Sequence, residues 1–302
     1  MNTLRITEWP KRRRDQLDPP GCVTEYISSF TDDLGCLIAG IVYEHRFAFY
    51  YWGLYSLDEA KPRHPVLITL DSHDDVGVPS EVDQEGLDNL NIRDQNELGL
   101  FAWKRLRSLN DGHILPALYL DFFSDVYVLI NDNEQSIGFE LPGAEQYKDR
   151  YGDLHMVRFY QCAEELLTDL PPNIPVFLDI DLDFFTKGYR GAGHVVGSEL
   201  LKSDAEISST LSIDGPLIGP IVHRIAGLTI ALEQKFCGGL QNSLHILGIL
   251  DRELFEGTLS THSCHWKKRD CPQRAATRTA LLPGSALPQS AECRRSVRIR
   301  RH

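Results

Sequence analysis

The chain has 302 residues, 42% of them apolar and 25% charged, with a formal net charge of −12. This is the balance of a globular protein that buries a core without disulfide or metal staples, and it excludes a disordered or fibrous polymer. No apolar run approaches the roughly 18 residues of a membrane span, the acidic total argues against nucleic acid as a partner, and seven cysteines without a CxxC spacing suit free thiols, so a cytoplasmic location with no membrane partner is expected.

Residues 1–35 read as an N-terminal extension, punctuated by proline and rich in charge. Its basic cluster Lys11-Arg12-Arg13-Arg14 is followed by no apolar h-region, so it does not read as a secretory signal. Continuous apolar runs follow at 36–43 (CLIAGIVY), 66–70 (VLITL), 176–180 (VFLDI) and 244–250 (LHILGIL). Runs of this length suit strands buried on both faces of a parallel sheet, with a buried helix segment as the alternative for each. Helical spacing is expected over 160–170, ending at Pro171-Pro172, and over 221–236, ending at Gly238-Gly239 as a C-cap. Residues 117–130 read as two strands, or as one strand and a turn. Strands alternating with helices predict a three-layer α/β/α sandwich with a mainly parallel sheet over 36–257.

Residues 258–302 carry ten Lys and Arg against two acids, leaving 21 against 41 in the body before them. The −12 is therefore a body of −20 joined to a basic tail of +8, in which disorder is expected. His262, Cys264, His265 and Cys271 in this tail match no usual structural zinc spacing.

Chemistry concentrates where the apolar runs end. The first reaches Glu44-His45, the second Asp71-Ser72-His73-Asp74-Asp75, the third Asp181-Leu182-Asp183 with Asp179 inside it, and the last Asp251-Arg252-Glu253. Ligand sites of open parallel sheets lie beyond the carboxyl ends of the strands, so these groups are expected to share one rim. Acids packed so densely call for a cation among them. Asp71, His73 and Asp75 alternate, as do Asp179, Asp181 and Asp183, so within each group an extended backbone points the side chains to one side. With His45 they make an oxygen and imidazole set suited to manganese, and able to take zinc or iron. Asp74 and Glu44 read as solvated loop residues.

At these residues the chain resembles the ureohydrolases, the superfamily of arginase and agmatinase. Asp71-Ser72-His73-Asp74-Asp75 looks like their DAHxD motif, and 178–183 (LDIDLD) like their LSxDxD segment with Asp179 in place of the serine. That register makes Asp181 and Asp183 the ligands; the register Asp179 with Asp181 stays open. The usual GGDHS motif is missing. Val42-Tyr43-Glu44-His45 is instead similar to the entry motif of a divergent branch that includes bacterial peptide arginases, as are 229–233 (TIALE) and Cys237-Gly238-Gly239.

The resemblance spans about 36–257 and implies an arginase-like fold with two Mn2+ ions held by His45, Asp71, His73, Asp75, Asp181 and Asp183. It implies hydrolysis of a guanidinium to urea and an amine, the substrate being arginine inside a ribosomally made precursor peptide, which is left as ornithine. Asp251, with Glu253 as second choice, would take the place of the guanidinium-binding acid. His113 would relay a proton to the departing amine. A body charge of −20 fits an arginine-containing peptide as partner. Three rivals stand beside this reading. A deacetylase of related fold needs a His-His pair, which the sequence does not contain; a two-metal phosphoesterase wants a basic or Gly-rich phosphate nest; a regulatory protein would bind metal without turnover.

Overall fold

The computed structural model describes residues 18–28, 30, 36–59, 61–108, 110–131, 143–187, 201–261 and 264–268. In chain order the strands are β1 (Val23–Ser28), β2 (Cys36–Val42), β3 (Val66–Asp71), β4 (Val126–Ile130), β5 (Glu145–Lys148), β6 (Leu154–Tyr160), β7 (Val176–Asp181) and β8 (Ile225–Ala231). The helices are α1 (Ala48–Leu57), α2 (Glu81–Asp88), α3 (Gln95–Lys104), α4 (Ile114–Tyr119), α5 (Ala163–Asp169), α6 (Asp204–Leu211), α7 (Ile218–Ile221) and α8 (Leu240–Phe255). The strands form one sheet in the order β1-β2-β8-β7-β3-β4-β6-β5. The six inner strands are parallel, and β1 and β5 pair antiparallel at the two edges.

Strand periodicity sorts side chains into two cores, one on each face of the sheet. Val66, Ile68 and Leu70 of β3 and Val176, Leu178 and Ile180 of β7 pack with α5, α6, α7 and α8. Leu67 and Phe177 point the other way, into the core made with α1, α2, α3 and α4. The result is the expected three-layer α/β/α sandwich. Thr69, Asp71, Asp179 and Asp181 share the pleat direction of Leu67 and Phe177, so the polar residues of β3 and β7 rise along the α1 face toward the carboxyl rim. From β3 the chain steps to β4 and β6, then returns to β7 on the other side of β3, which places a topological switch point between β3 and β7.

Two expected elements are exchanged. Residues 244–250, read as a strand, lie within α8, whose buried Ile246, Ile249, Leu250 and Leu254 recur at helical spacing while Leu244 is exposed. Residues 225–231, read as helix, are β8, every residue of it buried. Gly238 and Gly239, at φ +78° and +119°, lead into α8 rather than cap a helix before it. Of 160–170, Tyr160 ends β6 and only 163–169 are helical; of 117–130, the first residues belong to α4 and 126–130 form β4.

The boundaries also move outward. β1 pairs with β2 along its whole length, ahead of residue 36. Beyond residue 257, Leu259 and Trp266 join the core of α8, with the Trp266 ring 5.0 Å from that of Phe255. Contacts divide the chain into Met1–Lys267 and Lys268–His302, and all the elements above belong to the first unit. His262 and Cys271 lie outside the described residues. No helix among the described residues is long and apolar enough to cross a membrane.

Gly227 shows how closely β7 and β8 approach. It lies opposite Phe177, and a Cβ there would run into the Phe177 ring. Gly227→Ala is therefore expected to destabilise the protein by about 1–3 kcal/mol through overpacking. A lowered urea midpoint at unchanged slope would register it; an unchanged midpoint would mean the ring moves freely.

Candidate metal centre

His45 opens the short 3-10 turn His45–Phe47 that follows β2, and it is fully buried. Its Nε2 lies 2.6 Å from Asp179 Oδ2. A carboxylate only accepts, so Nε2 carries the hydrogen and, in the neutral ring, the Nδ1 lone pair faces the other way. There it meets Asp75 Oδ2 at 2.9 Å, Asp181 Oδ2 at 3.1 Å and Asp71 Oδ2 at 3.2 Å. One imidazole nitrogen and three carboxylate oxygens thus converge on one point.

Asp179 does not face that point. It sits one pleat lower, between neighbours Thr69 of β3 and Thr229 of β8. Both hydroxyls donate to it, Thr69 at 2.8 Å, and Trp52 of α1 donates to Thr229 from behind. This row across three strands fixes the tautomer and direction of His45, as carboxylates behind metal-bound histidines do. Asp179→Asn is expected to weaken divalent-metal affinity by about 10–100-fold with the fold retained. Isothermal titration with Mn2+ would measure it, and wild-type affinity would refute the role.

The main chain clamps one oxygen of each neighbouring acid. His73 N donates to Asp71 Oδ1 at 2.7 Å, Asp183 N to Asp181 Oδ1 at 3.0 Å, and Ser72 N to Asp183 Oδ1 at 3.2 Å. Asp71 Oδ2 and Asp183 Oδ2 are left buried without hydrogen-bond partners, as is His45 Nδ1. A second convergence forms on the outer side, where His73 Nδ1 lies 3.1 Å from Asp183 Oδ2 and 3.5 Å from Asp71 Oδ1. Asp71 therefore faces both groups, one oxygen to each. The His73 side chain is one-third exposed and its ring lies 5.3 Å from that of Phe236, which marks the solvent side.

Electrostatics carry the same message. Burial alone would lower the His45 imidazole, yet Asp179 and Asp181 hold it well above its ordinary value. Burial would lower His73 too, but Asp183 and Asp71 push it up to about 12. Burial acts to raise Asp71, and the adjoining imidazoles of His45 and His73 overcome it and hold the carboxyl well below its usual range. Burial and then Asp71 push Asp75 well up; burial and then Asp183 do so for Asp181. Four acids around two imidazoles are short of positive charge, and the inward atoms lack partners. Groups from this set, His45 with Asp71 and Asp181, Asp71 with His73 and Asp75, and His45 with Asp75 and His113, can each hold a metal ion. Divalent ions fit both the charge and the oxygen and nitrogen donors.

His113, just ahead of α4, is brought to the same place. It is fully buried, stacks on Trp52 at 5.2 Å, meets the His45 ring edge-on at 4.3 Å and stands 3.8 Å from Asp75 Oδ2. The fold so makes a pair of imidazoles that no sequence neighbours announce. Burial and then His45 push the His113 imidazole well below its ordinary value, so it is neutral.

Asp251 and Glu253 are not brought to the cluster. Both lie in the last turns of α8, where Asp251 Oδ1 accepts from Leu259 N at 2.9 Å and Glu253 pairs with Lys267 at 3.2 Å. The acid at the true end of the last strand is Glu233, two residues beyond β8 and 3% exposed. Its Oε1 accepts from His45 N at 2.6 Å and from Asn110 Nδ2 at 2.5 Å, and burial raises it to about 7. Glu233 at φ +34° and Asp75 at +48° are both left-handed, backbone strain of the kind that gathers at functional sites. Asp74 is exposed and Glu44 accepts from Arg46, as solvated loop residues do.

No protein-family model matches the chain, and no curated protein matches it. Among solved structures it is similar to the agmatine ureohydrolase of Thermoplasma volcanium, at 12% identity and a TM-score of 0.31 over 70% of this chain. The chain spans 59% of that protein's length. At that score the likeness decides nothing about chemistry, which rests on the residues of the rim.

Proposed function

We propose that the chain is a two-metal hydrolase that cleaves the guanidinium of arginine, held in a peptide, to ornithine and urea. The observation that carries this is Asp71, whose two oxygens face two separate donor groups, with the buried carboxylate of Glu233 beside them. His45, Asp71, Asp75 and Asp181 would hold one ion, and Asp71, His73 and Asp183 the other. Bound there, a pair of divalent ions supplies Lewis-acid charge and makes a water nucleophilic near neutral pH.

The chain's own groups account for the rest. A guanidinium is a planar cation with a fork of N–H donors, and it is recognised by carboxylate. Glu233 is the acid available for it, in place of the two on α8. Asp179 keeps the His45 Nε2 proton in place, so that imidazole stays a donor through turnover. His113, neutral through burial, can take a proton at Nδ1, which faces Asp75, and pass it to the amine as the C–N bond breaks. The −20 body favours approach of a basic peptide.

The test is purified protein with Mn2+, given free arginine, a panel of arginine peptides and acetyl-lysine peptides. Urea release, with each modified peptide losing the mass of cyanamide, is expected. Acetate release instead would favour a deacetylase using the His45 and His113 pair. Bound metal with neither product would leave a metal-binding regulatory protein.

A further inference from the structure

A second cluster lies at the opposite rim of the sheet. His155 is the second residue of β6, Asp149 directly follows β5, and Asp121 and Ser124 lie in the turn that enters β4. One donor atom from each of Asp121, Asp149 and His155 comes within 4.8 Å of the others.

The hydrogen bonds determine how these donors face. His155 Nδ1 is 2.6 Å from the carbonyl oxygen of Ser124, so Nδ1 is the donor and, in the neutral ring, Nε2 bears a lone pair. Asp149 Oδ1 accepts from the backbone N–H of Tyr151 and of Asp153, both at 2.8 Å, and Oδ2 points elsewhere. That Oδ2 lies 3.5 Å from His155 Nε2. Both side chains are more than nine-tenths buried, and neither atom has a hydrogen-bond partner. Two acceptors thus confront each other in a buried place, with a second acid, Asp121, alongside. Asp121 stands at φ +61°, braced by His64 Nδ1 at 3.0 Å.

Such a confrontation wants a cation between the lone pairs. A tetrahedral ion with bonds of about 2.0–2.1 Å sets its ligands about 3.4 Å apart, close to the separation seen. One nitrogen and two carboxylates suit a borderline divalent ion rather than calcium, which takes six or more oxygens.

We propose that Asp121, Asp149 and His155 form a second, separate site for a zinc-class divalent ion, which ties the β5–β6 edge to the turn entering β4. The site is independent of the central cluster and of what that cluster does.

The experiment is metal stoichiometry on the full chain, stripped by chelator and then titrated with Co2+, whose visible absorption reports nitrogen and oxygen ligation. His155→Gln and Asp149→Asn are each expected to bind one equivalent fewer than wild type. The double variant Asp71→Asn/Asp183→Asn is expected to keep one equivalent. Asp149→Asn retains the Oδ1 that accepts from Tyr151 and Asp153, so it keeps the turn even where His155→Gln fails to fold. On the unaltered chain, saturating Zn2+ is expected to shift the His155 ring resonances. Wild-type stoichiometry in both single variants, or unmoved His155 resonances, would overturn the proposal and leave His155 and Asp149 as a side-chain pair with no ion between them.

Discussion

Asp71→Asn is expected to leave a folded chain that has lost both ions of the central cluster. Among the described residues, Asp71 is the one acid with an oxygen toward both His45, at 3.2 Å, and His73, at 3.5 Å. Asparagine keeps the size and the Oδ1 that accepts from His73 N, but brings neither charge nor a second carboxylate oxygen. Lewis-acid stabilisation worth several kcal/mol would go with the ions, about a thousandfold or more in rate. Plasma emission spectrometry on the purified variant reads the metal, and urea assay reads the turnover. The metal-free state should lose stability as well, because His45 and His73 hold the Asp71 carboxyl well below its usual range and the substitution removes that favourable charge, so the melting temperature of the stripped protein is expected to fall. A variant that kept two ions would remove Asp71 from the ligand set.

Glu233→Gln is expected to separate binding of metal from turnover. The glutamine amide oxygen can still accept from His45 N, so the His45 turn and the metal content should be kept. The charge that would meet a guanidinium is lost, and breaking one side of a buried charged pair costs about 2–5 kcal/mol, or roughly 30- to 4,000-fold in kcat/KM. Metal content near wild type with turnover lost in this range is the expected pair of results. Loss of metal would make Glu233 a support of the centre, and full turnover would exclude it from the substrate.

Much of this was legible in sequence, for a physical reason. Runs such as VLITL and VFLDI are apolar at every position because β3 and β7 are buried on both faces, and the acids that end them must lie on the carboxyl rim. The same reasoning misfired at 244–250. LHILGIL is as apolar as a buried strand, but α8 turns Leu244 outward and packs Ile246, Ile249 and Leu250 inward. That one exchange carried Asp251 and Glu253 to a strand end that does not exist. The rule itself was sound: applied to IAGLTIA, it leads two residues on to Glu233. His113 had no such signal, since its place depends on α4 lying against Trp52 and no spacing in the chain encodes that.

The sheet order has a consequence for the growing polypeptide. Among the strands, β2 pairs only with β1 and β8, so the strand that delivers His45 stays parted from those that deliver Asp71 and Asp181 until β8 slides between. All six ligands of the central cluster have been synthesised by residue 183, yet they cannot meet while residues 225–231 are still inside the ribosome. The last strand is a keystone. A nascent chain halted before it would hold every residue of the cluster without this geometry, so metal binding at the proposed centre is expected to need β8 in place.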